Sequence, residues 1–527
     1  MENSTLTYNT TPISITYNST FQMKLPLDIY TVLPNDDYLT SFVEIMKGLD
    51  VAKYLSQPFP HVGNKGYDPK MMLNVVLFGF MEKVPSLREL EKLCRTDIRY
   101  IYLADGSTPS HQSFKRFMDK YLKVQVRDIF YDINERLKAL DNIDTSALYI
   151  DGTKIEANAK KNSFVWKKAT IGYQAKLFDK VSKILPDINK LVSTSYSIQP
   201  RYSSLLLGEI ADRLMKEATA QGITFVYGKG TRKSLLQRVF DDVLSYYLSA
   251  SKYEEQLKIC GDRNSYSKTD HDATMMNMKY DYYNQTGVFK PGYNIQIGVS
   301  DEYIMHLDIY SNPTDTKTFI PFMERYKEYY GELPTYPVGD AGYGSYDNYM
   351  YCIKNGMNLS MKYNYYAIKN STKFKKKIYH ILNFKKDEKG KYVCPQGHTF
   401  NIDEGEVYNE KGVYTQVHSR YSCGKCHNCP VKNKCTKSTG ERVLNINVTL
   451  NQMQEEVDEI LSTELGKQLK SNRSSQAEGT FGLIKQDLGY QRIRRRKTEN
   501  VKLELMLLSI GYNLRKYHHK KHRNATH

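Results

Sequence analysis

Residues 147–155 read ALYIDGTKI. Apolar and polar positions alternate there and β-formers dominate, so the stretch predicts a strand. An aspartate inside a strand is unexpected, because a carboxylate is costly to bury unless it is paired or bound to a cation. Asp151 is therefore a candidate for chemistry, and Gly152 leaves room beside it. A strand-end aspartate bonded to a neighbouring loop would read the same way, so the surroundings have to decide.

Upstream, residues 40–140 carry helical patterns. PKMMLNVVLFGFMEK starts at Pro69, a residue suited to a first helical turn, and Pro85-Ser86 breaks the pattern. SLRELEKLCR then opens with Ser86 as N-cap and Glu89 three residues on, a capping box. The turn GSTPSHQSFKRF precedes an amphipathic helix reaching about Leu140. The expectation is a mobile polar lead-in over 1–25 and an all-helical domain over 26–142, serving DNA binding, dimerisation or packing.

Downstream, LLLGEIADRLMKEA and LLQRVFDDVLSYYLSASKYEEQL predict a helical insertion over 165–270. Strands resume with YNIQIGVS from Tyr293 and YIMHLDIYS from Tyr303. A helix follows over 315–330, then the strand TYPVGD, with MNLSMKYN (357–364) as a fifth strand. Strand, strand, strand, helix, strand is the order of an RNase H-like core, an α/β fold with a mixed sheet and flanking helices, expected over 143–518. Residues 365–450 are Lys-rich, Gly-punctuated and cysteine-bearing, and predict a second insertion. Residues 452–518 return to helix, and 519–527 read as a fraying basic tail.

The chain has 527 residues, a net charge of +17 and a pI near 9.1. Such an excess draws polyanions. From Lys485 to Arg523 twelve Lys and Arg stand against three Asp and Glu. The start of the chain lacks the basic and apolar segments of a signal peptide, and no apolar run approaches the roughly 18 residues of a membrane span. The expected setting is cytoplasmic, with no membrane partner.

Asp340 ends the strand YPVG and opens the Gly-flanked turn DAGYGS. Ligands in α/β sheets gather beyond the carboxyl ends of strands, although an Asx-turn aspartate looks similar. Glu478 lies in RSSQAEGTFGLIKQ, where helical spacing puts Glu478, Phe481, Gly482 and Lys485 on one face. Phe481 would anchor that face to the sheet, Gly482 would allow close approach, and Lys485 would reach a phosphate. Two or three acids far apart in sequence suit two Mg²⁺ ions working on a phosphodiester. Glu156, Asp270, Asp272, Asp301 and Asp315 are rivals that sequence does not separate from these.

Five of the eight cysteines, Cys394, Cys423, Cys426, Cys429 and Cys435, lie close together, with His398 among them. In a reducing compartment the spacing suggests metal before disulfide. A structural Zn²⁺ suits four of the six residues, with Cys394, Cys423, Cys426 and either Cys429 or Cys435 favoured; an Fe–S cluster or unmetallated thiols are the alternatives.

Five segments in order carry a family resemblance. They are GYDPKMMLNVVLFGFMEKVPSLRELEKLCRTDIRYIYLADGSTPSHQSFKRF; LYIDGTKIEANAKKNSFVWKKA; SKTDHDATMM with KPGYNIQIGVSD; VGDAGYGSYDNY; and NRSSQAEGTFGLIKQDLGYQRIRRR with NVKLELMLLSIGYNLRKYHH. From about residue 25 to 518 the chain resembles the DDE transposases of bacterial insertion sequences, of the kind with an InsH-type N-terminal domain. The resemblance implies an RNase H-like catalytic domain with Asp151, Asp340 and Glu478 as its acids. It implies two Mg²⁺ or Mn²⁺ ions, Asp151 touching both and the other acids one each. It also implies binding of terminal inverted repeats, cleavage, and strand transfer into target DNA by a homodimer on DNA, at the bacterial nucleoid. Lys485 and the run Arg492, Arg494, Arg495, Arg496 and Lys497 would hold phosphates. One departure stands out. Relatives carry Tyr-x-x-Arg-x-x-x-Glu-x6-Lys, whereas here Ser471 and Ser474 fill the Tyr and Arg places. Arg473, one position off, is the substitute. A non-catalytic DNA-binding descendant and an RNase H-like nuclease are the alternative functions.

Overall fold

Strand β1 (Ala147–Glu156) forms over the alternating stretch and lies inside a five-stranded mixed sheet. It pairs antiparallel with β5 (Val288–Ser300) and parallel with β7 (Tyr336–Val338). The other edge of β5 is shared by β4 (Thr274–Met278) and β6 (Tyr303–Tyr310), both antiparallel to it. In the computed structural model, residues 33–55, 66–84, 86–228, 230, 232–278, 288–487, 489–490 and 492–525 are described. The 1–25 lead-in, the first residues of the 26–142 region and the last two of the tail lie outside them.

The expected order of strands and helix holds, with Phe319–Tyr330 as the helix after β6. MNLSMKYN is a correction. It runs extended with Met357, Leu359, Met361 and Tyr363 buried in alternation, but it forms no strand. Among the described residues, its backbone bonds to the chain around β7 are Asn358 N–H to Thr335 O and Lys362 N–H to Gly339 O, with the Asn358 side chain also donating to Thr335 O. β5 is buried on both faces from Lys290 onward, and its inward polar residues Asn294 and Gln296 are fully buried.

The N-terminal region is helical throughout its described part. Pro69–Met81 carries Pro at its first turn, and Asp68 caps it by accepting from the Lys70 and Met71 N–H groups. Ser86 caps Leu87–Thr96 by accepting the Glu89 N–H, the N-cap half of the expected capping box, while the Glu89 carboxylate pairs with Lys92. Ten of the thirteen residues of Pro69–Met81 are buried, which marks it as a core helix rather than a surface one. What covers it is the helix Thr498–Ala525 from the other end of the chain. The same core takes in Leu39, Phe78, Phe130, Ile297, Leu307, Leu507 and Tyr517, so N-terminal helices, sheet and final helix share it. Asn513 ties the layers together: its Nδ2 donates to Asn134 Oδ1 and Ile304 O at 2.8 Å each, and its Oδ1 accepts the Ile304 N–H at 2.9 Å. The fraying tail is a second correction, because the final helix continues to Ala525. Beyond 518 it is held by Lys520 to Asp141, Lys521 to Glu44, and the His519 ring against the Tyr38 hydroxyl.

Two units stand apart from this core. The helices Lys167–Leu191, Ser204–Ala220 and Leu235–Cys260 form the helical insertion around their own apolar cluster, including Leu177, Val181, Leu207 and Val243, and the paired strands β2 (Phe164–Trp166) and β3 (Ser265–Ser267) flank it. The cysteine-bearing segment makes β8 (Lys385–Lys386), β9 (Tyr392–Val393), β10 (Ile402–Asn409), β11 (Gln416–Ser422) and β12 (Leu444–Ile446) around a small core of its own. Among the described residues no helix is long and apolar enough to cross a membrane.

Candidate active site

Asp151 sits mid-strand on β1, opposite Ile297 of β5. Tyr149 of β1 pairs with Val338 of β7 in parallel register. Asp340 follows two residues after Val338, as Asp151 follows two after Tyr149, so two parallel neighbours bring both carboxylates to the same level of the sheet. Asp340 is fixed in its turn by accepting the Gly342 N–H at 2.8 Å. The turn has little space: a Cβ on Gly342 would lie 3.0 Å from the Asp340 Oδ1.

The third acid arrives on a helix broken by π turns. Glu464–Arg473 is α-helical, Ser474–Glu478 is π-helical, Gly479–Gly482 is α-helical again, and Leu483–Asp487 is π-helical. Ala477 and Leu469 pack against Tyr149 and Val338, clamping this helix onto the two strands that carry the other acids. The Gln476 carboxamide accepts the Glu302 N–H at 2.5 Å, a second tie to the sheet.

One side chain joins the three. Arg473 is 9% exposed, and its Nη2 lies 2.9 Å from Asp151 Oδ1 and 3.8 Å from Asp340 Oδ2, while its Nη1 donates to Glu478 Oε1 at 2.8 Å. A π turn closes i to i+5 bonds, which is the spacing from Arg473 to Glu478. The extra residue in that turn brings position 473, not 474, into line with the acid. Arg473 thus bonds the acid from five positions upstream, and Ser474 bonds Glu478 Oε2 at 3.2 Å.

Burial pushes the Asp151 carboxyl up to about 6, with Arg473 pulling it down and Asp340 and Glu478 adding to the rise. Burial works against the Arg473 charge too, but Asp151, Asp340 and Glu478 outweigh it and hold that guanidinium above its ordinary pKa. Three carboxylates against one guanidinium leave the pocket with excess negative charge. Hard oxygen donors on a rigid frame, with Asp340 and Glu478 about half exposed, suit divalent cations that keep water and phosphate as their other ligands.

Two expectations for this helix are overturned. Phe481 is buried in the main core while Glu478 faces the pocket, so they do not share a face. A Cβ on Gly482 would touch nothing within 4 Å, so no close approach requires that glycine. The α-helical period fails here because the two π turns rotate the helix on either side of Gly479–Gly482. Lys485 nevertheless lies along the site, donating to the Thr153 hydroxyl on the same face of β1 as Asp151.

The basic run leaves the helix and crosses the end of β1. Arg492 bridges to Glu156, and the Ile493 N–H bonds Glu156 O at 2.8 Å. Arg492, Arg494, Arg496 and Lys497 are exposed, with Ile493 buried between them and Arg495 half-buried against Asp119. Glu504 holds the run from below, accepting the Arg494 and Arg495 N–H groups. The rival acids have structural partners. Glu156 pairs with Lys290 at 2.7 Å, Asp270 accepts the Tyr293 hydroxyl at 2.7 Å, Asp272 accepts the Thr498 N–H at 2.8 Å, and Asp301 lies 3.4 Å from Lys520.

Asp315 is different. Its Oδ1 accepts from Asn294 and Gln296 beside Gly152, and the adjoining Thr316 hydroxyl donates to Gly342 O in the Asp340 turn. Lys362, in the stretch expected to be a fifth strand, is a further neighbour that sequence reasoning missed. Burial and then Arg473 lower its pKa, while Asp340 and Glu478 act the other way. No periodicity marks it, because it comes from an extended segment outside the sheet ladder.

The cysteine set also converges. Cys394, His398, Cys423, Cys426, Cys429 and Cys435 line one cavity, and all are free.

Two family models match the chain. Residues 27–120 match the one described as "Transposase domain (DUF772)", and residues 393–518, which include Glu478, match the one described as "Transposase DDE domain". No curated protein and no solved structure matches the chain. Transposase family models thus match towards both ends of the chain, which is consistent with a DDE transposase of an insertion sequence.

Proposed function

We propose that this transposase cuts DNA at the ends of its element and joins those ends to target DNA, using Asp151, Asp340 and Glu478. The observation that carries the reading is the Arg473 guanidinium, which touches carboxylates from positions 151, 340 and 478 at once. Side chains so far apart are not gathered around one cation for stability alone, since a buried ion network is weak evidence of a stability gain. Divalent cations, Mg²⁺ or Mn²⁺, would be held by Asp151, Asp340 and Glu478. When bound, such ions neutralise charge on the attacking and leaving oxygens of an in-line displacement.

The chain's own residues do the rest. β1 fixes Asp151 rigidly, and the Asp340 turn and the π-helical segment bring the other two acids to it. Arg473 balances their repulsion until a more highly charged cation and a phosphate share the site. Lys485 and the exposed Arg492, Arg494, Arg496 and Lys497 hold backbone phosphates with Arg495 beside them, giving salt-sensitive binding that positions DNA without reading bases. Water adds to the scissile phosphorus and the 3′-oxygen leaves. The freed 3′-hydroxyl then attacks a target phosphodiester and displaces its 3′-oxygen. The N-terminal helical region would read the terminal inverted repeats, and pairing of two ends implies a homodimer on DNA, in a bacterial cytoplasm.

The test is a strand-transfer assay on linear DNA bearing the element's ends, with Mg²⁺. The expected result is cut ends joined to target, with joining and cutting both abolished by Asp151→Ala, Asp340→Ala or Glu478→Ala while DNA binding survives. Binding without cutting by the unaltered chain would mark a non-catalytic DNA-binding protein, and cutting without joining a nuclease. Retained cleavage in any one variant would remove that residue from the site.

A further inference from the structure

The geometry points to a single structural zinc ion in the cysteine-bearing unit, held by Cys394, Cys423, Cys426 and Cys429, which keeps the β10–β11 hairpin docked beside the Asp340 turn. It is independent of the acid triad.

Two of the donors already meet, and Cys394 and Cys429 line the same cavity as that pair. Cys423 and Cys426 have their sulfurs 3.5 Å apart. Two thiolates on a tetrahedral zinc with bonds of about 2.3 Å stand about 3.8 Å apart, so this pair needs almost no rearrangement. Two of the cysteine loops turn tightly through a glycine in the left-handed region. Gly397 has φ +84° in the turn where the His398 N–H donates to Cys394 Sγ at 3.4 Å, and Gly424 has φ +62° between Cys423 and Cys426. Backbone N–H groups aimed at sulfur stabilise a thiolate as they would a bound one.

The cavity these residues line has a volume of about 20 Å³, room for about one water-sized body. That is room for one ion as the side chains stand, whereas an iron–sulfur cluster with several metal and sulfide atoms would require them to move apart. Of the six sulfur and imidazole candidates, Cys435 is engaged elsewhere: its Sγ accepts from Arg442 Nη1 at 2.7 Å, and the same guanidinium also bonds Cys435 O. Glu441 has an oxygen close to the Cys423 and Cys426 sulfurs, but its carboxylate already accepts the Cys426 and His427 N–H groups. Cys429, with its backbone tied to Cys426 O at 3.3 Å, is the remaining thiol of the dense run.

The unit needs such a staple. Its core holds five buried side chains, Phe384, Phe400, Cys423, Leu444 and Ile446, too few for a small unit of short strands to hold its shape by apolar burial alone. The hairpin tip has a job. Val413 and Tyr414 N–H groups bond the Asp347 carboxylate in the first turn of the helix Tyr346–Lys354, which starts six residues after Asp340. A zinc ion at the hairpin's base would therefore hold the segment that follows the second acid.

Metal analysis of the full-length protein, purified without chelator, tests this. One zinc per chain is expected, with iron absent. Cys394→Ser, Cys423→Ser, Cys426→Ser and Cys429→Ser should each lower bound zinc to below about a tenth of that, since a structural site needs all four ligands. Cys435→Ser and Cys94→Ser should keep it. Co²⁺ exchanged into the unaltered protein should show the intense visible bands of a tetrahedral thiolate site, a readout that stands even if a serine variant fails to fold. Zinc absent from the unaltered protein with no such Co²⁺ spectrum, iron in its place, or zinc lost from Cys435→Ser but kept in Cys429→Ser would each overturn the assignment.

Discussion

Arg473 bears most of the electrostatic work at this site, and its removal has two separable consequences. Without it three carboxylates face one another, one of them largely buried. Taking away one partner of a buried ion pair costs on the order of 3–5 kcal/mol, and the half-exposed Asp340 and Glu478 put this case at the low end. Arg473→Ala should therefore melt at a lower temperature in metal-free buffer and gain more from added Mg²⁺ than the unaltered protein does. Equal gains would mean that the guanidinium and the cation do not share the same charges. The sequence made the three acids legible through their local settings: an aspartate in a strand, an aspartate at a strand's carboxyl end, a glutamate ahead of a basic run. Lys362 was not legible, because it comes from an extended segment outside the sheet ladder, and Asp315 was visible only as one of several rival acids, because its bonds to Asn294 and Gln296 form between segments distant in sequence.

The element that decides Arg473's role is the π turn Ser474–Glu478. Restoring the arginine to the place relatives use, by combining Arg473→Ser with Ser474→Arg, should not rescue activity. The double variant is expected to be as defective in DNA cleavage as Arg473→Ala, because the turn points position 474 away from Asp151. Full rescue would show that the helix is regular there in the working protein. Sequence periodicity assumed 3.6 residues per turn, which is why it misplaced Phe481 and Gly482 while locating the helix itself. A second close fit is between the final helix and Pro69–Met81. A Cβ on Gly511 would stand 2.4 Å from Phe80 backbone atoms, and backbone cannot swing aside as a side chain can. Gly511→Ala should cost about 1–3 kcal/mol by overpacking, read as a lower denaturant midpoint. An unchanged midpoint would mean that the two helices sit further apart.

Across the whole molecule, one apolar core runs from Leu39 to Tyr517. The boundary expected near residue 142 separates sequence patterns but not cores, since a helix from the chain's end fills the space between the N-terminal helices and the sheet. That pairing joins segments more than four hundred positions apart, which no local pattern reveals. At the centre of this assembly His306 of β6 is buried against Phe322 and Tyr326, with the Tyr131 hydroxyl on its Nδ1. Burial pushes its pKa down to about 3, and Arg127 and Arg325 add to the fall. A histidine whose folded pKa is depressed supports the fold above its unfolded value of about 6.5 and withdraws that support as pH drops towards 3. Replacing it by His306→Gln should flatten the loss of stability over that window, measured as denaturant midpoints from pH 7 to 4. An unchanged slope would mean that His306 takes up its proton in the folded state as readily as in the unfolded one.

The central claim is that carboxylates 151, 340 and 478 form one divalent-cation site. The most direct measurement is a crystal structure of the protein with Mn²⁺, with the ion located by its anomalous scattering. The account predicts anomalous density among the three carboxylates, lost in Asp151→Asn, with Arg473 drawn back from at least one acid. Mn²⁺ bound only elsewhere, or none at all with Arg473 still bridging all three acids, would contradict it.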